Sequence, residues 1–164
     1  MLSDSYQFYK NYHKNKVNKL IHLFCIPMIF WSFCCMLNLL TSYNELKFKG
    51  ENILVTNMDL GLFVCSYYLL FYTFMDRKTF FPMLIYLALI YLSSYYFNLY
   101  VANSIMYAVY INIFSWIMQF IGHFFFEGNR PALVDSISQS FLMAPLFSYY
   151  EFKELCLKNN KKND

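Results

Sequence analysis

The chain contains three histidines, His13, His22 and His123, and a carboxylate, Glu127, four residues beyond the last of them. Residues four apart share one face of an α-helix, so His123 and Glu127 form the pair by which one helix offers two ligands to a single metal ion. Upstream, at offsets of three and four, Asn112, Ser115 and Gln119 continue as a polar stripe. Inside a membrane such a stripe turns toward the bundle, either as a functional site or as hydrogen-bonding glue between helices. His13 and His22 are nine positions apart, and nine steps of about 100° place them on opposite sides of a straight helix. Both can reach one ion only if the helix breaks somewhere in residues 14–19; otherwise one of them is an interfacial histidine. Asn18 lies four residues before His22 and is a candidate to orient its imidazole.

Other catalytic templates fail. The sequence has no GxGxxG, GxxxxGK[ST], GxSxG or HExxH. Its five cysteines, Cys25, Cys34, Cys35, Cys65 and Cys156, show no CxxC spacing, and four lie in apolar runs, so they read as reduced, buried thiols. Neutral imidazoles with a carboxylate suit Fe(II) or Zn(II). Two histidines and one carboxylate facing open positions is the non-haem iron pattern that activates O2.

The elements that must position these groups belong in a membrane. Of 164 residues, 59% are hydrophobic, 23% aromatic and only 14% charged, too few charges to coat a water-soluble domain. A net charge of +3 without a basic face excludes a nucleic-acid binder. From Asp59 to Glu127 the charged residues are Asp59, Asp76, Arg77, Lys78 and Glu127 alone. Uncharged stretches of about 20 residues mark the spans, because a charge at a span's centre costs about 2.5 to 3.5 kcal/mol. The first is too long for a signal-peptide core and reads as a retained anchor.

Spans are expected at about residues 20–43, 57–75, 80–101 and 105–127, with a turn near Asn98, Asn103 and Ser104. The second is short: residues 60–75 cover about 24 Å of a core about 30 Å thick. Counting it leaves every Lys and Arg except Lys47 and Lys49 on the cytoplasmic side, as the positive-inside rule requires. The expected fold is therefore an all-α integral membrane protein with four transmembrane helices and both termini cytoplasmic. That topology sends all three histidines to one membrane face. Beyond the fourth span Gly128 suits a left-handed helix cap and Pro131 the first turn of a new helix. The mixed residues 132–143, which Pro145 then limits, make an interfacial or re-entrant helix at about 131–150. Residues 1–155 form one membrane domain and 156–164 a basic polar tail.

Tyr12-His13, Asn15, Asn18 and Leu20-Ile21-His22, followed by Gln119-Phe120-Ile121-Gly122-His123, Phe126-Glu127, Arg130-Pro131-Ala132-Leu133, Asp135, Gln139-Ser140 and Ala144-Pro145, resemble the 2-hydroxy fatty acid dioxygenase family. The resemblance runs from about Phe8 to Phe152, and the motif around His123 is specific. It implies a multispan protein of the endoplasmic reticulum membrane, and the Lys and Arg count puts its metal site on the cytoplasmic side. It also implies an Fe(2+)-dependent enzyme that shortens 2-hydroxy fatty acids by one carbon with O2, a fatty acid α-oxidation that in fungi serves phytosphingosine degradation.

The family's histidine positions match His13, His22 and His123, with Glu127 a further candidate ligand. On that basis Arg130 would neutralise the substrate carboxylate through paired hydrogen bonds. Asp135 is a second candidate carboxylate, and Asn18 and Gln119 would flank ligands or substrate. Two positions depart from the family: Lys16 replaces a frequent Pro, and Asn129-Arg130 carries one basic residue where a pair is common. Two rival readings stand beside this one: a non-catalytic membrane protein binding lipid or a partner, and a metal-dependent enzyme acting on another lipid.

Overall fold

The computed structural model describes residues 10, 12–48, 59–128 and 137–160, and regular structure among them is entirely helical. The helices are α1 (Lys16–Phe48), α2 (Leu60–Met75), α3 (Phe80–Tyr100), α4 (Ser104–Ile121) and α5 (Ile137–Asn160). A short 3-10 turn, Arg77–Thr79, leads into α3, and a π-helical turn, Gly122–Glu127, extends α4. Among the described residues three stretches are long and apolar enough to cross a membrane: Lys16–Leu40, Arg77–Tyr100 and Ser104–Glu127. Helix α2 is shorter, at 16 residues. Large apolar side chains stand exposed along these helices, among them Phe63 and Phe74 on α2, Ile85 and Leu89 on α3, and Tyr110 and Ile117 on α4. Faces of this kind suit lipid rather than water.

Local chemistry explains where the helices start and stop. Asn15 accepts from the Val17 amide through Oδ1 at 2.8 Å, and its carbonyl takes the first helical bond, from the Lys19 amide. An N-cap of this type ends the irregular segment and starts α1. It supplies the break in residues 14–19 that two histidines nine apart require, without a proline. Asp59 caps α2 through Leu62 N at 3.0 Å. Asn103, at φ 57, makes the tight turn between α3 and α4 in the left-handed region that Asn tolerates. Gly128, at φ 69, closes the π-helical turn as a left-handed cap, as expected from the sequence.

The chain divides into two compact units, residues 29–113 and a second made of the segments up to Met28 and from Phe114 onward. In the 29–113 unit, Phe30, Cys34, Cys65, Leu87 and Ile90 form a buried cluster, with Trp31, Tyr68, Tyr86 and Tyr91 packed against it. A Cβ at Gly61 would collide with Asn38 Oδ1, so a larger residue there would have to displace the Asn38 side chain. Asn112 donates to Ser32 Oγ at 2.9 Å and to the Ile29 carbonyl at 3.3 Å, so it joins α4 to α1 as glue.

In the other unit α5 lays one buried stripe, Ser140, Met143, Phe147, Ser148 and Glu151, along its inner face. Pro145, expected to limit this segment, lies inside the helix, which continues to Asn160, into the stretch expected to be tail. A helical proline costs about 3 kcal/mol. Burying Leu146 and Phe147, which are almost wholly enclosed, returns about 1.5–3 kcal/mol each, so packing outweighs the lost bond. Pro27 within α1 likewise has no N–H for the Leu23 carbonyl, and Ser148 Oγ of α5 donates to that oxygen at 3.4 Å. Lys19 and Glu151 add an ion pair at 2.9 Å between the same two helices.

Candidate metal centre

Three different kinds of backbone deliver the histidines. His22 stands in the second turn of α1 and His123 in the π-helical turn after α4, while His13 lies in the non-helical segment before the Asn15 cap. All are buried, at 2–3% exposure. Their ring centroids form a triangle, 4.4 Å between His13 and His22, 4.8 Å from each of these to His123. One nitrogen from each lies within 4.8 Å of the others. Metal–nitrogen bonds of about 2.0–2.1 Å hold two ligands of one ion no more than about 4.2 Å apart, so small side-chain rotations would seat all three on one ion.

The hydrogen bonding around the rings fits that use. Neither nitrogen of His22 has a hydrogen-bond partner, nor does His123 Nδ1. Buried polar atoms are nearly always paired, and a cluster of orphaned imidazole nitrogens is a place where an ion supplies the partner. Imidazole donors suit iron, zinc and copper. Among the described residues the group able to hold one ion is His13, His22 and His123.

Glu127 has other partners. Its Oε1 accepts from the Lys14 amide at 2.7 Å, and its Oε2 accepts from the Asn15 amide and from Asn18 Nδ2, both at 3.0 Å. His123 and Glu127 lie in the same π-helical turn, Gly122–Glu127. Asn18 gives its amide hydrogen to a charged acceptor, the stronger partner, and does not hydrogen-bond His22. Gln119 is buried one turn before His123. Arg130 and Asp135 lie outside the described residues.

Sequence reasoning did not find Phe147, whose ring centre is 5.1 Å from that of His13, nor Glu151, buried in its pair with Lys19. A single acidic residue ending the otherwise uncharged stretch of α5 from Ile137 was the available sign for Glu151. For Phe147, one aromatic among many, there was none.

Comparison with known proteins agrees with this chemistry. The family described as 2-hydroxy-palmitic acid dioxygenase Mpo1-like matches residues 1–155. The chain is 32% identical over 147 residues to the 2-hydroxy-palmitic acid dioxygenase MPO1 of Saccharomyces cerevisiae, covering 88% of this chain and 75% of that protein. No solved structure matches it.

Proposed function

Because the chain belongs to the 2-hydroxy-palmitic acid dioxygenase Mpo1-like family, we propose that it is an Fe(II)-dependent dioxygenase of the endoplasmic reticulum membrane. It shortens 2-hydroxy fatty acids by one carbon, in fatty-acid and sphingoid-base breakdown. One observation carries the reading: three buried imidazoles from distant parts of the chain converge, with His22 and His123 nitrogens lacking any hydrogen-bond partner.

His13, His22 and His123 would hold the iron as neutral imidazoles. Iron, when bound, supplies open positions at which O2 and an oxygenated substrate meet. Burial of the rings, with Phe147 against His13, keeps bulk water from the centre. The acyl chain remains among the apolar helices. Arg130, three residues after Glu127, is the basic residue this reading assigns to the substrate carboxylate, since a guanidinium matches it with paired hydrogen bonds.

The same contact supports four crossings. His22 lies near the start of α1 and His123 at the end of α4, and their rings are 4.8 Å apart. If both helices cross the membrane, they cross in opposite directions, and the chain between them leaves from and returns to one side. Helix α3 is long and apolar enough to cross. On this reading the short α2 crosses as well, and both termini lie on the Lys/Arg-rich cytoplasmic side.

Metal analysis and product chemistry test the proposal. Purified, detergent-solubilised protein should carry iron that is lost in His123→Ala, and with Fe(II) and O2 it should convert a 2-hydroxy acid to a product one carbon shorter. Metal-free protein, or no shortened chain, would refute it.

A further inference from the structure

Two of the three imidazoles ride on helices, whereas His13 sits on irregular backbone ahead of α1. The two amides that follow His13, those of Lys14 and Asn15, precede the first helical hydrogen bond of α1 and so have no acceptor within that helix. Both donate to Glu127, one to each carboxylate oxygen. The third donor, Asn18 Nδ2, stands three residues after the Asn15 cap. In an ordinary capping box a Glu at that position reaches back to the cap amide. Here Asn18 occupies it and holds a carboxylate brought from 109 positions away in the chain.

Neighbouring residues are fitted to this arrangement. Gly122 stands where a Cβ would lie 2.5 Å from Asn18 Oδ1, so a larger residue there would have to displace the Asn18 side chain. The left-handed Gly128 ends the helix directly after Glu127. A carboxylate at a helix N-terminus also meets the positive end of the helix dipole.

We infer that Glu127 is a positioning residue. It clasps the backbone on the C-terminal side of His13 to the start of α1 and so brings the third imidazole to the other two. Its oxygens serve three N–H donors rather than the ion. The inference deepens the metal-centre reading and rests on that reading only in its second measurement.

The experiment uses full-length protein in detergent micelles, wild type, Glu127→Gln and Asn18→Ala. In the first measurement, on metal-free protein, amide hydrogen exchange is followed at Lys14 and Asn15. A glutamine offers one acceptor oxygen, and its NH2 faces a donor, so exchange at these two amides should speed up about tenfold or more in Glu127→Gln. Asn18→Ala should shift the same amides less, and it carries the test if Glu127→Gln does not fold.

In the second measurement, Co(II) is titrated as a spectroscopic stand-in. Affinity should fall about 10- to 100-fold in Glu127→Gln, as when a residue that orients a ligand is lost. The visible spectrum at saturation should match wild type, because the same three nitrogens bind. Unchanged exchange in both variants would overturn the inference, and so would a saturated Glu127→Gln spectrum reporting one oxygen ligand fewer. Co(II) binding to none of the proteins would instead sink the metal reading and leave the clasp to be decided by exchange alone.

Discussion

The two compact units differ in which buried polar groups they leave without a partner. In residues 29–113, Ser32, Asn38, Thr79 and Ser94 are buried, and each has a partner: the Ile29 carbonyl, Ser94 Oγ, the Tyr72 carbonyl and the Tyr91 carbonyl. The orphaned Tyr86 hydroxyl and Asn98 Oδ1 lie on different turns of α3, and the core they border is thiols and aromatics. The unit carrying α5 leaves both nitrogens of His22 and one of His123 unpartnered, together with Asn18 Oδ1, Ser115 Oγ and Ser140 Oγ, and among the described residues it is the imidazoles that gather closely enough to hold one ion. Satisfied polar groups inside a membrane protein act as glue. Unsatisfied groups of one chemical kind, gathered within one coordination shell, mark a ligand site. Polarity alone does not separate the two cases, because Asn112 and His123 belong to one stripe in the sequence and do different work in the fold.

The strongest way to break this contrast is to remove a donor from each unit. His22→Ala should abolish bound metal and lower dioxygenase activity by at least about 100-fold, since every ligand of a three-imidazole site is needed to hold the ion. Cys34→Ser, in the other core beside Cys65, should leave the metal-to-protein ratio of folded material at the wild-type value. Metal analysis of both proteins, with a 2-hydroxy acid turnover assay, checks the pair. Loss of metal in Cys34→Ser would erase the distinction.

A subtler comparison adds one methyl group to each unit. Gly61→Ala drives a Cβ into Asn38 Oδ1, and Gly122→Ala places one 2.5 Å from Asn18 Oδ1. Overpacking of this type costs about 1–3 kcal/mol, so both proteins should melt at lower temperature in detergent. Only Gly122→Ala should also weaken metal affinity, by about tenfold, through the displaced Asn18 and the Glu127 clasp. Equal metal affinity in the two proteins would remove the link between Gly122 and the site.

The smallest effects come from single hydroxyls. Ser148→Ala leaves the Leu23 carbonyl, already without its usual donor because of Pro27, unpaired, and should destabilise by about 1 kcal/mol. Ser93→Ala, which takes from Trp31 Nε1 its 3.0 Å acceptor, should cost a similar amount. Equilibrium unfolding in mixed micelles can resolve differences of this size, and neither variant should alter metal content.

Much of this was readable from local pattern. Uncharged runs located α1, α3 and α4, because the price of a charge in hydrocarbon is high. Gly128 and Asn103 announced a cap and a turn, because few residues accept a left-handed backbone. All five cysteines are free and four are buried, as their apolar neighbours suggested. Pro145 misled because a local rule about helices was overruled by the burial of Leu146 and Phe147 beside it.

The chain's own order of residues therefore determined its solvent, most of its helix boundaries and the inventory of imidazoles and carboxylates from which a site could be built. Each of these depends on interactions within a turn or two, where spacing specifies the neighbours. Tertiary structure decided the division of labour: His13 beside His22 despite an opposing helical phase, Glu127 on the amides of Lys14 and Asn15, Ser148 on the carbonyl that Pro27 left bare. Those partners stand more than a hundred residues apart or across a helix start, and their pairing comes from packing and from the need to satisfy every buried polar group, neither of which leaves a periodic trace in the chain.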